Sequence, residues 1–302
     1  MNYQHVIDLT KPEGKSRTGE ELYKISKFPD GQQDVWINPG IKNIASIVLI
    51  KSYFNSWLDL ELIACTKAAL NEMEINNVVL FIPYFLGARS DRKFKEGGTW
   101  YLKDVICPAI NNLNFQKVII VDPHSDVVSN LIKNVHIIRN GRYVAKFLVD
   151  AYGEYTGIVK SYIVSPDAGA EKKIYDLAKQ INYPGEVVCC YKVRNKEGEL
   201  IKTIVTKEDF EGKDVFIVDD ICDGGRTFIE LSKELKNRNT GKIYLIVSHG
   251  IFSKGLDILK PHFDKVYCTN SIDNRIDVAD ENFLVQYDIF EEVFVNSTNA
   301  LM

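Results

Sequence analysis

Apolar runs alternate along the chain with stretches whose apolar residues recur at helical spacing. ASIVLIKSY (45–53) has the near-continuous apolar character of a buried strand, and DLELIACTKAALNEMEI (59–75) behind it repeats its apolar positions with the helix period. NVVLFIPYF (77–85) predicts another strand. TWYLKDVICPAINNL (99–113) predicts a helix bent or broken near Pro108, because proline offers no N–H and its ring crowds the preceding turn. KVIIVDPHSD (117–126) reads as a strand that ends in polar residues, and YVAKFLVDAYG (143–153) as a helix closed by glycine.

The same rhythm then returns. IVKSYIVSPDAGA (158–170) predicts strand then loop, EKKIYDLAKQI (171–181) a helix, and EVVCCYKV (186–193) a strand. KDVFIVDDICDGGRT (213–227) predicts a strand running into a glycine-bearing loop, with the helix FIELSKELKNR (228–238) behind it. KIYLIVSHG (242–250) and KVYCTNS (265–271) complete the strands. Apolar strands alternating with helices imply mainly parallel sheets covered on both faces, an α/β class whose ligands bind beyond the carboxyl ends of the strands. The polar clusters lie at those ends. Each half has a strand running into an acidic loop, VDPHSD and VDDICDGG, so the chain divides near RNGR into 1–143 and 144–302.

Composition narrows the function. The 302 residues are 45% hydrophobic and 26% charged, an ordinary globular balance, and the net charge of −4 argues against a nucleic-acid coat, so an anionic ligand must be met by a local cluster of donors. No run approaches the roughly 20 apolar residues of a membrane helix, and the polar N-terminus lacks the apolar core of a signal peptide. The six cysteines, 65, 107, 189, 190, 222 and 268, make no C-x-x-C, which fits reduced thiols in a cytoplasmic protein without nucleic-acid or membrane partners.

VFIVDDICDGGRTF (215–228) carries the sharpest chemistry. An apolar strand feeds two adjacent carboxylates, Asp219 and Asp220, and Asp223 follows at the turn. Gly224 and Gly225 permit positive φ and close approach of backbone to a ligand. Arg226 and Thr227 stand where the next helix begins and its N–H groups face outward, which favours an anion. Two acids followed by an anion nest suit a ribose phosphate. A solvated strand-to-helix turn is the plain alternative, and three Asp and two Gly in seven residues argue against it.

This segment resembles the ribose-phosphate motif of type I phosphoribosyltransferases (PRTases) and of ribose-phosphate pyrophosphokinases (PRPP synthetases). Further segments, in order, resemble the second family: FPDGQ (28–32), YFLGARSDRK (84–93), VDPHS (121–125), SPDAGAEKK (165–173), YKVRN (191–195) and SHGIFSKG (248–255). The resemblance implies two PRTase-like α/β domains with mainly parallel sheets, the first on the ATP side, assembled as a homo-oligomer, a dimer or hexamer. It implies transfer of the β,γ-diphosphoryl group of Mg²⁺–ATP to a ribose C1 hydroxyl with release of AMP. By the match, Phe28, Asp30, Gln32, Arg89, Ser90, Asp91 and His124 bind ATP, with Phe28 stacked on adenine, and His124 and Asp167 hold the Mg²⁺. Lys192 and Arg194 clamp the transferred group, and Asp167, Asp219, Asp220, Asp223, Gly224, Gly225, Arg226 and Thr227 bind the ribose phosphate. A strand-end histidine, a hairpin edge and a core phenylalanine are the plain alternatives for His124, for Lys192 with Arg194, and for Phe28.

Three departures matter. The family's D-T-x-G-T loop is Asp223-Gly224-Gly225-Arg226-Thr227 here, losing a threonine hydroxyl and gaining an arginine. A more open, cationic loop leads to ADP-ribose as the expected acceptor, with ribose 5-phosphate as the alternative. On the ATP side Gln32 replaces Glu, Ser90 replaces Gln, and Phe94 stands where an acidic or small residue often follows R-K. KFKEGGTWYLKDV replaces a segment that contributes to allosteric control in the family. A non-catalytic regulatory subunit and a phosphoribosyltransferase are the competing readings; the first conflicts with the presence of Lys192, Arg194, His124, Asp167, Asp219 and Asp220, the second leaves the matches at 84–93, 121–125 and 165–173 unused.

Overall fold

The computed structural model describes residues 5–15, 19–43, 47–152, 161–194, 200–272 and 282–291. They form two compact units. One holds the residues up to Ile138 together with 271–272 and 289–291; the other holds Arg139–Asn270 and 282–288.

In the first unit β1 (His5–Asp8), β5 (Val48–Lys51), β6 (Val78–Phe81), β7 (Lys117–Val121) and β8 (Val135–Ile138) lie side by side in that order, all parallel. β6 is buried along its whole length, which is why its sequence reads as an uninterrupted apolar run. A separate antiparallel sheet of β2 (Glu13–Lys15), β3 (Glu21–Lys27) and β4 (Gln33–Ile37) was not legible from the sequence, because its strands are short and half exposed and lack a clean alternation.

Helix α1 (Trp57–Glu72) starts two residues before the expected stretch because Ser56 caps it: its Oγ accepts from Asp59 N–H while the Asp59 carboxylate accepts from Ser56 N–H at 2.8 Å. The break expected at Pro108 takes the form of a π-helical turn, Leu102–Ile106, running into α2 (Cys107–Asn112). Proline cannot donate to the turn before it, and the wider turn accommodates that loss. A short helix, α3 (Val127–Leu131), follows β7.

In the second unit the order is β11 (Leu200–Val205), β10 (Glu186–Arg194), β9 (Ser161–Ser165), β12 (Asp214–Cys222), β13 (Ile243–Gly250), β14 (Lys265–Thr269) and β15 (Leu284–Tyr287). Every pair is parallel except β10 with β11, which form a hairpin edge. The mainly parallel α/β architecture expected from the sequence is the one observed. α4 (Gly141–Tyr152) packs here: its Tyr143 hydroxyl donates to Ser248 Oγ at 2.6 Å, and Phe147 lies 4.9 Å from Tyr267. α5 (Glu171–Gln180) and α6 (Arg226–Lys236) complete the unit. All six cysteines are free, and burial pushes the Cys107, Cys190, Cys222 and Cys268 thiols up to about 12. No described helix is long and apolar enough to cross a membrane.

Candidate active site

The second sheet sets the site. β9 is followed in the chain by β10 on one side, yet β12 pairs with it on the other, so the strand order reverses between β9 and β12. Ligands of open α/β sheets bind at such a reversal, beyond the carboxyl ends of the strands. Asp167 stands just past the end of β9, Lys192 near the end of β10, and Asp219 and Asp220 near the end of β12.

These side chains meet. Lys192 Nζ lies 2.5 Å from Asp167 Oδ2, and the other Asp167 oxygen accepts from Ala170 N–H at 3.1 Å. The lysine is largely withdrawn from solvent, so this is a partly desolvated pair rather than a surface bridge. The Asp219 carboxyl is held well above its usual range, first by burial, then by the neighbouring Asp220 carboxylate and a hydrogen bond to it; the charge of Asp167 acts in the same direction. Against these, Asp220 N–H donates to Asp219 Oδ1 at 2.8 Å. Three acids and one lysine thus share one end of the sheet, short of positive charge.

The turn behind β12 leads into α6 through two glycines. Gly225 has φ +73° and caps α6; a Cβ there would stand 2.8 Å from Leu259 Cδ2, so both the backbone and the space require glycine. The first turn of α6 carries no acid, and no side chain caps it, which leaves its N–H groups directed outward. Arg226 is exposed at the first helical position and Thr227 half-buried behind it.

Arg194 ends β10; its side chain lies outside the described residues. In the first unit Arg89, Ser90 and Asp91 follow β6, and His124 follows β7, on loops beyond the carboxyl ends of two paired strands. Phe28, Asp30 and Gln32 form the tip between β3 and β4: Phe28 N–H donates to Gln32 O at 2.8 Å, and Asp30 Oδ1 accepts from Gln32 N–H at 3.1 Å. Phe28 is 51% exposed, which excludes the core role that was its plain alternative.

Among the described residues no three His, Cys, Asp or Glu side chains converge as a metal cage. The donors present at the acid cluster are hard carboxylate oxygens, which suit a magnesium ion that arrives already bound to phosphates and keeps several waters. Lys254, within SHGIFSKG, had no role assigned from the sequence; its nearness to the glycine loop arises only from the pairing of β12 with β13.

The phosphoribosyl transferase domain family model matches residues 127–287. The ribose-phosphate pyrophosphokinase of Sulfurisphaera tokodaii is 29% identical over 231 residues, 74% of this chain and 75% of that protein. The enzyme of the same name from Haemophilus ducreyi is 23% identical over 275 residues, 86% of this chain and 84% of that protein. The crystal structure of phosphoribosylpyrophosphate synthetase from Mycobacterium smegmatis superposes with a TM-score of 0.77 at 15% identity, covering 99% of this chain and all of that one, which establishes likeness of fold.

Proposed function

The chain belongs to the phosphoribosyl transferase domain family, and on that premise we propose that it is a pyrophosphokinase that transfers the β,γ-diphosphoryl group of ATP to the C1 hydroxyl of ribose 5-phosphate, releasing AMP. The observation that carries this reading is the joining, at one strand-order reversal, of an acid pair, a glycine nest at a helix start, and Lys192 held by Asp167. The relatives named ribose-phosphate pyrophosphokinase, matched over most of their length, support it.

Ribose 5-phosphate replaces ADP-ribose as the acceptor. The expectation of ADP-ribose rested on an open glycine loop with Arg226 beside it; Arg226 occupies an exposed helix-start position, which suits a phosphomonoester as well as a diphosphate. The relatives above are named for ribose phosphate.

Asp219 and Asp220 accept hydrogen bonds from the ribose hydroxyls and fix the sugar, while the Gly224–Thr227 turn and the α6 N–H groups hold the 5-phosphate. Lys192 leaves Asp167 for the non-bridging oxygens of the group in flight, where negative charge develops. Positioning and charge neutralisation are what phosphoryl transfer demands, with little covalent help from protein groups. The C1 hydroxyl attacks the β-phosphorus in line with the departing AMP oxygen. Bound on the ATP polyphosphate, Mg²⁺ would neutralise part of its charge; in the second unit Asp167, Asp219 and Asp220 are the residues that would hold it, directly or through water. The ATP side of the reaction falls to Arg89, Ser90, Asp91, His124 and the Phe28–Gln32 tip.

AMP release from ATP, followed with no acceptor, with ribose 5-phosphate and with ADP-ribose, tests this. The reading expects AMP in step with a ribose 5-phosphate of mass increased by one diphosphoryl group. AMP only with ADP-ribose would restore the larger acceptor. Release of pyrophosphate from PRPP and a nucleobase, without AMP formation from ATP, would make the protein a phosphoribosyltransferase instead.

A further inference from the structure

We propose that Lys254, on the loop after β13, binds the 5-phosphate of the acceptor beside the Gly224–Thr227 turn. This rests on the ribose-phosphate reading above and names a residue that none of the motifs assigns. The loop is held in place by its neighbours. Ile251 N–H and Phe252 N–H both donate to Cys222 O, at 2.8 and 3.1 Å, which ties the end of β13 to the end of β12. Phe252, buried and at φ +46°, folds back over Gly250; a Cβ on Gly250 would stand 2.1 Å from the phenyl ring, so only glycine lets the ring settle there. Gly255 N–H then donates to Phe252 O at 2.8 Å and closes a tight turn. Lys254 stands in that turn.

The turn meets the nest. A Cβ on Gly224 would lie 3.4 Å from Lys254 Cγ and 3.7 Å from Ser253 Oγ, so the lysine stem rests against the bare backbone of the glycine loop. Gly224 presents no side chain there, and Lys254 brings its stem to the same spot, with the ammonium group three bonds beyond Cγ. Its head is exposed and forms no ion pair among the described residues; the nearby Asp257 is taken by Lys260 at 3.0 Å. Charge gives the reason for a cation here. A phosphate dianion seated beside Asp219, Asp220 and Asp223 meets three carboxylates within about one Debye length, and backbone N–H groups alone carry only partial charges. Lys254 and Arg226, approaching from two strands, offset them.

Binding of ribose 5-phosphate to the wild-type protein, Lys254→Met and Lys254→Arg, measured by calorimetry at low salt, tests this, alongside KM for each substrate in the AMP assay. A charge-assisted contact of this kind is worth about ten- to a hundredfold in affinity. The proposal expects Lys254→Met to lose that much affinity and to raise KM for ribose 5-phosphate equally, with KM for ATP unchanged and Lys254→Arg near wild type. Unphosphorylated ribose should then bind both proteins equally weakly. Unchanged affinity of Lys254→Met for ribose 5-phosphate, or an equal loss for ribose, would overturn it. Binding by the wild-type protein without AMP formation would remove the reaction and leave the Lys254 assignment standing; absence of binding by the wild type would remove both.

Discussion

At the scale of single residues, the pairing of Lys192 with Asp167 explains how a flexible cation is kept ready. The partner holds the ammonium near the acid cluster until a polyphosphate offers a stronger one. Lys192→Ala should therefore lower kcat by about 10²–10³ while leaving KM for the acceptor nearly unchanged, since the lysine acts on charge that develops in the transition state. Steady-state kinetics check this; a pure KM effect would contradict the role. Asp219 makes a second prediction. Its carboxyl titrates above the ordinary value of 3.8 because the fold buries it and sets it beside Asp220. A raised folded-state value means that the folded protein holds the proton more tightly than the unfolded chain. Its favourable contribution is full below about pH 4 and is lost as pH rises through the raised value. Asp219→Asn should thus gain thermal stability over wild type as the pH is taken from 4 to 7, and should lose activity. Melting curves across that range decide it: a constant difference would mean that Asp219 is ionised in the free protein without penalty.

At the scale of elements, legibility followed burial. Strands buried on both faces, such as β6 and β13, announced themselves as apolar runs, and the acid–glycine loop behind β12 was readable because few structures need two carboxylates and two glycines in that spacing. The β2–β3–β4 sheet and β15 were missed, since partly exposed strands carry no comparable pattern. The start of α1 was set by the Ser56–Asp59 capping box, a signal present in the sequence but outweighed by apolar periodicity; Ser56→Ala should cost about 1 kcal/mol. Gly225 is the stricter position. Gly225→Ala combines positive φ with a 2.8 Å approach to Leu259, and should destabilise the protein by about 1–3 kcal/mol and weaken acceptor binding, because the nest itself is displaced. Denaturant titration and calorimetry test the two effects separately.

At the scale of the molecule, two units each present polar loops beyond the carboxyl ends of a parallel sheet. That arrangement was legible from the alternation of strand and helix. The strand-order reversal at β9, which tells where on the second sheet the chemistry belongs, was not, because β9 and β12 are adjacent through pairing rather than through sequence. The same is true of Lys254, which reaches Gly224 only across paired strands. The central claim is that a whole diphosphoryl group leaves ATP for a sugar hydroxyl. ATP carrying ¹⁸O in the non-bridging oxygens of its β-phosphoryl group, incubated with the protein, Mg²⁺ and ribose 5-phosphate and followed by the isotope shift in phosphorus NMR, tests it directly. The account predicts unlabelled AMP and a sugar product whose C1-linked phosphorus carries the label. Label retained on ADP, with a single phosphoryl group on the sugar, would contradict it.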